Sequence, residues 1–213
     1  NMGDGALGRG WNIGGLSVIS RTPKTIYHDG KTQGILLQDL VDSWVLDGNL
    51  LVASPANGIN TFRPEKENFS LVTFVDNNDN DKSNDYYKVQ TEGGTTMYYG
   101  SQPAANSKLI LKDNLANDQV LSWYVDRIED SYGNYMTYSY YNDGGEIHIK
   151  EIKYTGNDIA GIDPYNSIKF YYDLRTTNTS SFFLGNEIVH KLLLREIEVF
   201  CESKSIRRYE FSY

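Results

Sequence analysis

Apolar and aromatic residues recur at every second position through Trp123-Tyr-Val-Asp-Arg127-Ile128-Glu-Asp130-Ser-Tyr-Gly133-Asn134-Tyr-Met-Thr-Tyr138-Ser-Tyr140. Alternate side chains of a strand face opposite sides of a sheet, so a period of two interrupted by Gly-Asn predicts a half-buried β-hairpin. Weaker echoes run through residues 147–154 and from Leu192 through Arg195-Glu-Ile197 to Tyr209-Glu-Phe-Ser-Tyr213. Repeated hairpins predict a β-meander wall rather than an enzyme built around one cleft.

The rest of the chain agrees with an all-β reading. Short strand candidates at residues 16–21, 25–28, 34–38, 43–46, 50–53, 59–62 and 70–75 follow one another at the spacing of about 8–12 residues expected of all-β architecture. Residues 86–90 and 95–99 flank Thr91-Glu-Gly93-Gly94, a hairpin turn with glycines available for positive φ. Longer candidates cover residues 146–154, 167–173, 187–200 and 206–213. Residues 187–199 admit a helical period, but Ile188, Val189, Ile197, Val199 and Phe200 favour a strand. Residues 101–107 read as a polar loop around Pro103, and residues 76–85, which lack any hydrophobe, as another. No Pro- or Ser-rich linker divides the sequence, so residues 1–213 are expected to form a single all-β domain, an antiparallel hairpin meander.

Composition sharpens the picture. Only 39% of residues are hydrophobic, but 17 tyrosines supply ring area with a polar tip, which suits sheets with one solvated face. A net charge of −8 argues against nucleic acid as a partner, because phosphates demand clustered Lys and Arg. One cysteine, Cys201, excludes an intrachain disulfide and a Cys-based zinc site. Its place in Ile197-Glu-Val-Phe-Cys201 predicts a buried structural thiol. No apolar run approaches the roughly 18–20 residues needed for a membrane span, and no signal peptide is visible.

Candidate chemistry is sparse. Gly3-x-Gly5-x-x-Gly8 matches the dinucleotide fingerprint as a string, but Trp11-Asn-Ile-Gly14-Gly15 cannot open the helix that the mechanism requires, so a glycine corner is expected. The 76–85 loop carries Asp76, Asn78, Asn80 and Asp81, yet Asp81 and Tyr87 stand where an EF-hand needs Gly and Glu. His28, His148 and His190 lie far apart without an adjacent acid partner, and His148, alternating within Ile147-His-Ile149, is expected to face solvent. The carboxylate pairs Asp126/Glu129 and Glu196/Glu198 could serve glycoside hydrolysis, but neighbouring Arg and Lys favour cross-strand ion pairs. No catalytic, cofactor-binding or metal-ligating residue is therefore assigned. Trp11, Trp44, Trp123 and the tyrosine ladders could instead stack on sugar rings, the alternative being that they form the packed face of a sheet.

The same residues carry a family resemblance. Gly8-Arg-Gly10-Trp11-Asn-Ile-Gly-Gly-Leu16-Ser-Val-Ile19-Ser-Arg21 resembles the "LG-x-GW … L … I-x-R" opening of SpvB-type proteins and of the B component of bacterial Tc toxins. The segment with Trp123, Arg127, Ile128, Asp130, Gly133, Asn134, Tyr138 and Tyr140 is similar to the "W-x-x-x-R-I-x-D-x-x-G-N-x-x-x-Y-x-Y" phrase of RHS/YD-repeat proteins. The close, Lys191-Leu-Leu-Leu-Arg195-Glu-Ile-Glu with Arg208-Tyr209-Glu-Phe-Ser-Tyr213, resembles that family's "K-L-L-x-x-I … Y-x-L-x-Y". The resemblance implies a wall segment of a hollow RHS/YD-type β-sheet shell in a secreted or surface-exposed bacterial protein. Its partner would be the remainder of its own polypeptide, further repeats and a C-terminal toxic or variable cargo. The family's enzymatic modules have no counterpart in this sequence. In that reading Gly8, Gly10 and Gly133-Asn134 set corners, while Trp11 and Trp123 anchor packing. A carbohydrate- or protein-binding β module acting on host or bacterial surface molecules is the alternative.

Overall fold

The computed structural model describes residues 4–9, 11, 13–39, 41–76, 84–143 and 145–213. Gly10 and most of the 76–85 loop therefore lie outside the described residues. A short hairpin comes first, β1 (Asp4–Gly5) with β2 (Gly8–Arg9), then β3 (Val18–Thr22) and the single helical turn α1 (Ile26–Asp29). A run of short strands follows: β4 (Ser43–Leu46), β5 (Asn49–Ala53), β6 (Thr61–Pro64), β7 (Leu71–Val75), β8 (Tyr86–Gln90), β9 (Thr96–Tyr99) and β10 (Lys108–Lys112). Long strands complete the chain: β11 (Asp118–Glu129), β12 (Asn134–Asp143), β13 (Glu146–Asn157), β14 (Asn166–Phe183), β15 (Asn186–Cys201) and β16 (Lys204–Glu210).

Apolar alternation explains the short strands directly. In β4, Trp44 and Leu46 are buried between half-exposed neighbours, and in β8 the same holds for Tyr87 and Val89. Antiparallel pairing links β3 through β9 in chain order. β11 then does double duty. Ser122–Tyr124 pair with β3, and Val125–Glu129 pair with β9 across a bulge, which closes a ring of eight strands among the described residues. β11 also pairs with β10 through residues 118–123 and with β12 through Arg127–Glu129, and from β12 the meander continues as an open sheet to β16. The expected all-β antiparallel meander is therefore present, with barrel closure added. Among the described residues no helix is long and apolar enough to cross a membrane.

One core joins ring and open sheet. Trp44, Tyr87 and Trp123 meet edge to face inside the ring, with Trp123 centroids 5.2 Å from Trp44 and 5.1 Å from Tyr87. Such pairs add about 0.5–1.5 kcal/mol each beyond area burial. Tyr138, Tyr140, Ile149, Phe170 and Leu194 extend this core under the open sheet.

Several local expectations are corrected. Residues 25–28 hold the cap and most of α1, not a strand: the Thr25 hydroxyl accepts the His28 N–H, the Asp29 carboxylate accepts the Thr25 N–H, and Gly30 closes the turn at φ 68°. Capping overrides the β-forming Thr-Ile-Tyr run. Residues 34–38 form no strand, because Leu36 and Gln38 donate their N–H groups to the Asp42 carboxylate instead of a neighbouring strand. Cys201 is exposed, since it pairs with Lys204 at the rim of the β15–β16 hairpin. His148 is buried: Ile149 faces the core while the His148 ring lies 5.3 Å from Tyr172, so both faces of β13 are covered there. The last strand ends at Glu210, and Tyr213 turns back to donate its hydroxyl to the Leu194 carbonyl at 2.7 Å. Not anticipated from the sequence are β1, β2, β10 and the second half of β14, the last of which is polar through most of its length.

Candidate functional site

The motif residues fall in three places. In the ring, Arg21 is anchored from three directions. Its Nε donates to the Val120 carbonyl at 2.8 Å, Nη1 to Asp42 at 3.0 Å, and Nη2 pairs with Asp39, while the guanidinium lies 4.4 Å from the Trp44 ring centroid. Trp123 is buried beside it, and its Cδ1 lies 2.5 Å from where a Cβ on Gly100 would sit. Only glycine, at φ 76°, lets the backbone approach the indole that closely.

The second place is the β11–β12 turn. Asp130 accepts hydrogen bonds from the Tyr132 N–H, the Asn134 N–H and the Asn134 side-chain amide. These donors, the Asn134 amide foremost, hold its carboxyl below the usual carboxylate range. Gly133 sits at φ 77°, with the Asp158 N–H donating to its carbonyl at 2.9 Å. Arg127 pairs with Glu129 and Asp158 and covers the Tyr135 ring at 4.0 Å, whereas Ile128 packs on the core. Glu129 also accepts the Tyr98 hydroxyl at 2.8 Å; burial and this acceptor push the Tyr98 phenol up to about 12. Beyond the turn, Tyr138 and Tyr140 are buried, and the Tyr140 hydroxyl donates to the Val125 carbonyl at 2.5 Å. Gly133→Val is expected to destabilise the protein by about 1–3 kcal/mol, chiefly through a β-branched residue at positive φ. A thermal melt unchanged by the substitution would remove the turn assignment.

The third place is where the opening meets the later strands. Gly8 has φ 89°, and a Cβ there would touch the Tyr213 ring at 3.6 Å. The Ala6 carbonyl accepts the Leu194 N–H at 2.7 Å, and Arg175 donates to the Gly5 carbonyl at 2.6 Å. Trp11, expected to anchor packing, is 70% exposed. Leu7, Ile13 and Leu16 take that role by packing against the core.

The proposed carboxylate pairs behave differently from each other. Glu196 and Glu198 both meet Arg208 across the β15–β16 ladder, as cross-strand pairing predicts. Asp126 makes no such pair. It is fully buried at the bulge in β11 and accepts bonds from Ser101, Ser107 and the Gln102 N–H. The bulge turns it inward, and alternation alone cannot reveal a bulge.

A further cluster escaped the sequence reading. Glu146 accepts His190 Nδ1 at 2.6 Å through one carboxylate oxygen and lies 3.3 Å from His148 Nε2 through the other. Glu146 and His148 are two apart on one strand and so share a face, a signal that alternation does contain. The contribution of His190 from β15 had no local signal. Among the described residues no group of three or more His, Cys, Asp or Glu has the arrangement to hold a metal ion.

Comparison with known proteins adds the following. A family model described as SpvB, Salmonella virulence plasmid 65kDa B protein, matches residues 1–197. No curated protein sequence matches the chain directly. The solved N-terminal domain of the effector protein SpvB from Salmonella typhimurium strain LT2 is similar, with a TM-score of 0.70 and 17% identity, covering 93% of this chain and 79% of that one. TcdB2-TccC3 is similar with a TM-score of 0.68 and 16% identity, covering 92% of this chain. The Photorhabdus luminescens Tc holotoxin pore gives 0.63 and 15% over 86% of this chain. The present chain spans only 12% and 11% of those two chains. At such identities the likeness establishes the fold.

Proposed function

The chain belongs to the SpvB family, and from that premise we propose that it is a non-catalytic wall segment of a shell-forming exported bacterial protein. The observation that supports this most directly is the sheet order. Among the described residues a 14-stranded sheet follows the chain from neighbour to neighbour except where β11 joins β3, β9 and β10, so the chain from β3 to β16 forms one continuous hydrogen-bonded wall. The motif residues Arg21, Trp123, Ile128, Asp130, Tyr138 and Tyr140 are engaged in holding that wall together. On this reading residues 1–213 act as one unit, and its partner is a polypeptide joined to the same chain, the cargo that the wall encloses.

Secretion or surface exposure follows from the same reading. The experiment is protease protection of the polypeptide that follows Tyr213 in the native protein. Protection that disappears when the wall is destabilised supports enclosure. A coding sequence that stops at Tyr213, or a following segment digested as fast as an unfolded control, overturns it. A glycan array separates the alternative: binding lost on replacing the exposed Trp11, Tyr27 and Tyr132 by serine would replace the wall by a carbohydrate-binding module.

A further inference from the structure

β13 pairs with β14 only through Glu151–Tyr154, so its first residues, from Glu146 to Lys150, have no ladder partner on that side among the described pairings. β14 and β15 remain paired beyond that point, but their ladder is interrupted between Leu174 and Thr179. The far half of the β14–β15 hairpin is therefore not held to the β12–β13 hairpin by backbone bonds. Side chains hold it instead. Glu146 takes His190 from β15 and His148 from its own strand, Asp143 of β12 pairs with Lys191 of β15 at 2.7 Å, and Gly145 packs against Ile188. At its tip the same hairpin meets β10, where Asn186 exchanges two hydrogen bonds with the Lys112 backbone.

We propose that Glu146, His148 and His190 form an acid-released clasp that fastens the far half of the β14–β15 hairpin to the β12–β13 hairpin. The clasp closes through a carboxylate shared by two imidazoles, and it opens when that carboxylate gains a proton. The protonated carboxyl no longer carries the charge that draws His190 of β15 to β13, so the tie between the two hairpins weakens. Tyr172 of β14 presents its ring to His148 and donates its hydroxyl to the Ile149 carbonyl, Tyr124 of β11 feels the Glu146 charge, and Asp143 is engaged by Lys191.

The direction of the pH dependence follows from the carboxylate. Burial pushes the Glu146 carboxyl up, but hydrogen bonds and charge from His148 and His190 outweigh it and hold the carboxyl below its ordinary value of 4.5. A depressed folded value means that the clasp's contribution is complete above that pH and is lost as pH falls through the lower folded value.

The test is hydrogen exchange across the whole chain between about pH 6 and pH 3.5, corrected for intrinsic rates, with β11 amides as internal reference. Amides of residues 187–192 are expected to open about tenfold more relative to β11 as Glu146 protonates. Glu146→Gln should open that segment already at the upper pH and flatten its dependence, and Asp143→Asn should leave the dependence in place. The carboxyl carbon resonance of Glu146 in the unsubstituted chain gives a second readout that needs no variant. Its titration midpoint should lie below the ordinary carboxylate range and coincide with local opening. A flat profile in the unsubstituted chain, an unchanged profile in Glu146→Gln, a dependence abolished by Asp143→Asn, or midpoints that do not coincide would each overturn the proposal.

Discussion

Replacing Arg21 with alanine is expected to lower the unfolding free energy by about 3–5 kcal/mol, the range for removing one partner of a buried ion pair. The Arg21 and Asp42 side chains are each only 1% exposed, so the substitution leaves a carboxylate in the interior without its cation. Asp42 also receives the N–H groups of Leu36 and Gln38, which means the loss spreads to the loop that covers this part of the ring. The Val120 carbonyl would lose its donor, and the Trp44 ring the cation that lies over it. Denaturant unfolding of Arg21→Ala and of Arg21→Met/Asp42→Asn separates the contributions. The double variant removes the stranded charge while keeping one acceptor oxygen for the loop, so it should lose less than the single variant. A single-variant loss under about 1 kcal/mol would show that the pair contributes no more than a surface ion pair.

Asp126→Ala should be comparably severe, at about 3–5 kcal/mol, because three donors in a dry site lose their acceptor and each stranded group costs about 1–3 kcal/mol before relaxation. The donors are the Ser101 and Ser107 hydroxyls and the Gln102 N–H, at 2.8–2.9 Å. They tie the segment between β9 and β10 to the bulge where β11 passes from β3 to β9, so the loss falls on ring closure. Asp126→Asn tests the electrostatics. Burial pushes the Asp126 carboxyl above its ordinary value of 3.8, and the three hydrogen bonds oppose that shift without cancelling it. A raised folded value means that this group's pH-linked stability is fully present below the unfolded value and lost as pH rises through the folded one. The loss caused by Asp126→Asn should therefore be larger near about pH 4 than near about pH 7. Paired melts at the two pH values check this, and a loss that grows toward neutrality would contradict it.

These two residues also show what kind of information the sequence holds. Arg21 was legible as part of an opening phrase, but its partners Asp39 and Asp42 were not, because they lie across a loop whose residues 34–38 carry strand-like alternation. Asp126 was legible only as one of a carboxylate pair with Glu129. The bulge separates the two, sending Asp126 to the Ser101 and Ser107 hydroxyls and leaving Glu129 with Arg127 and Tyr98. Trp11 shows the opposite failure. A large aromatic in a glycine-rich opening predicted an anchor, yet the short β1–β2 hairpin is held by the Leu194 N–H at the Ala6 carbonyl, by the Arg175 guanidinium at the Gly5 carbonyl and by Leu7 packing, which leaves the indole in solvent.

Local pattern by itself determined the strands with strong alternation, the Gly133-Asn134 turn and the all-β antiparallel meander, because side-chain period and positive-φ demand are properties of a few consecutive residues. Tertiary structure alone decided that β11 closes a ring between β3 and β9, that Asp126 is buried without a cation, and that His148 and His190 meet on Glu146. Each of those depends on which distant strands become neighbours. That choice is made by the summed burial of side chains such as Trp44, Tyr87 and Trp123, which no single stretch of sequence contains.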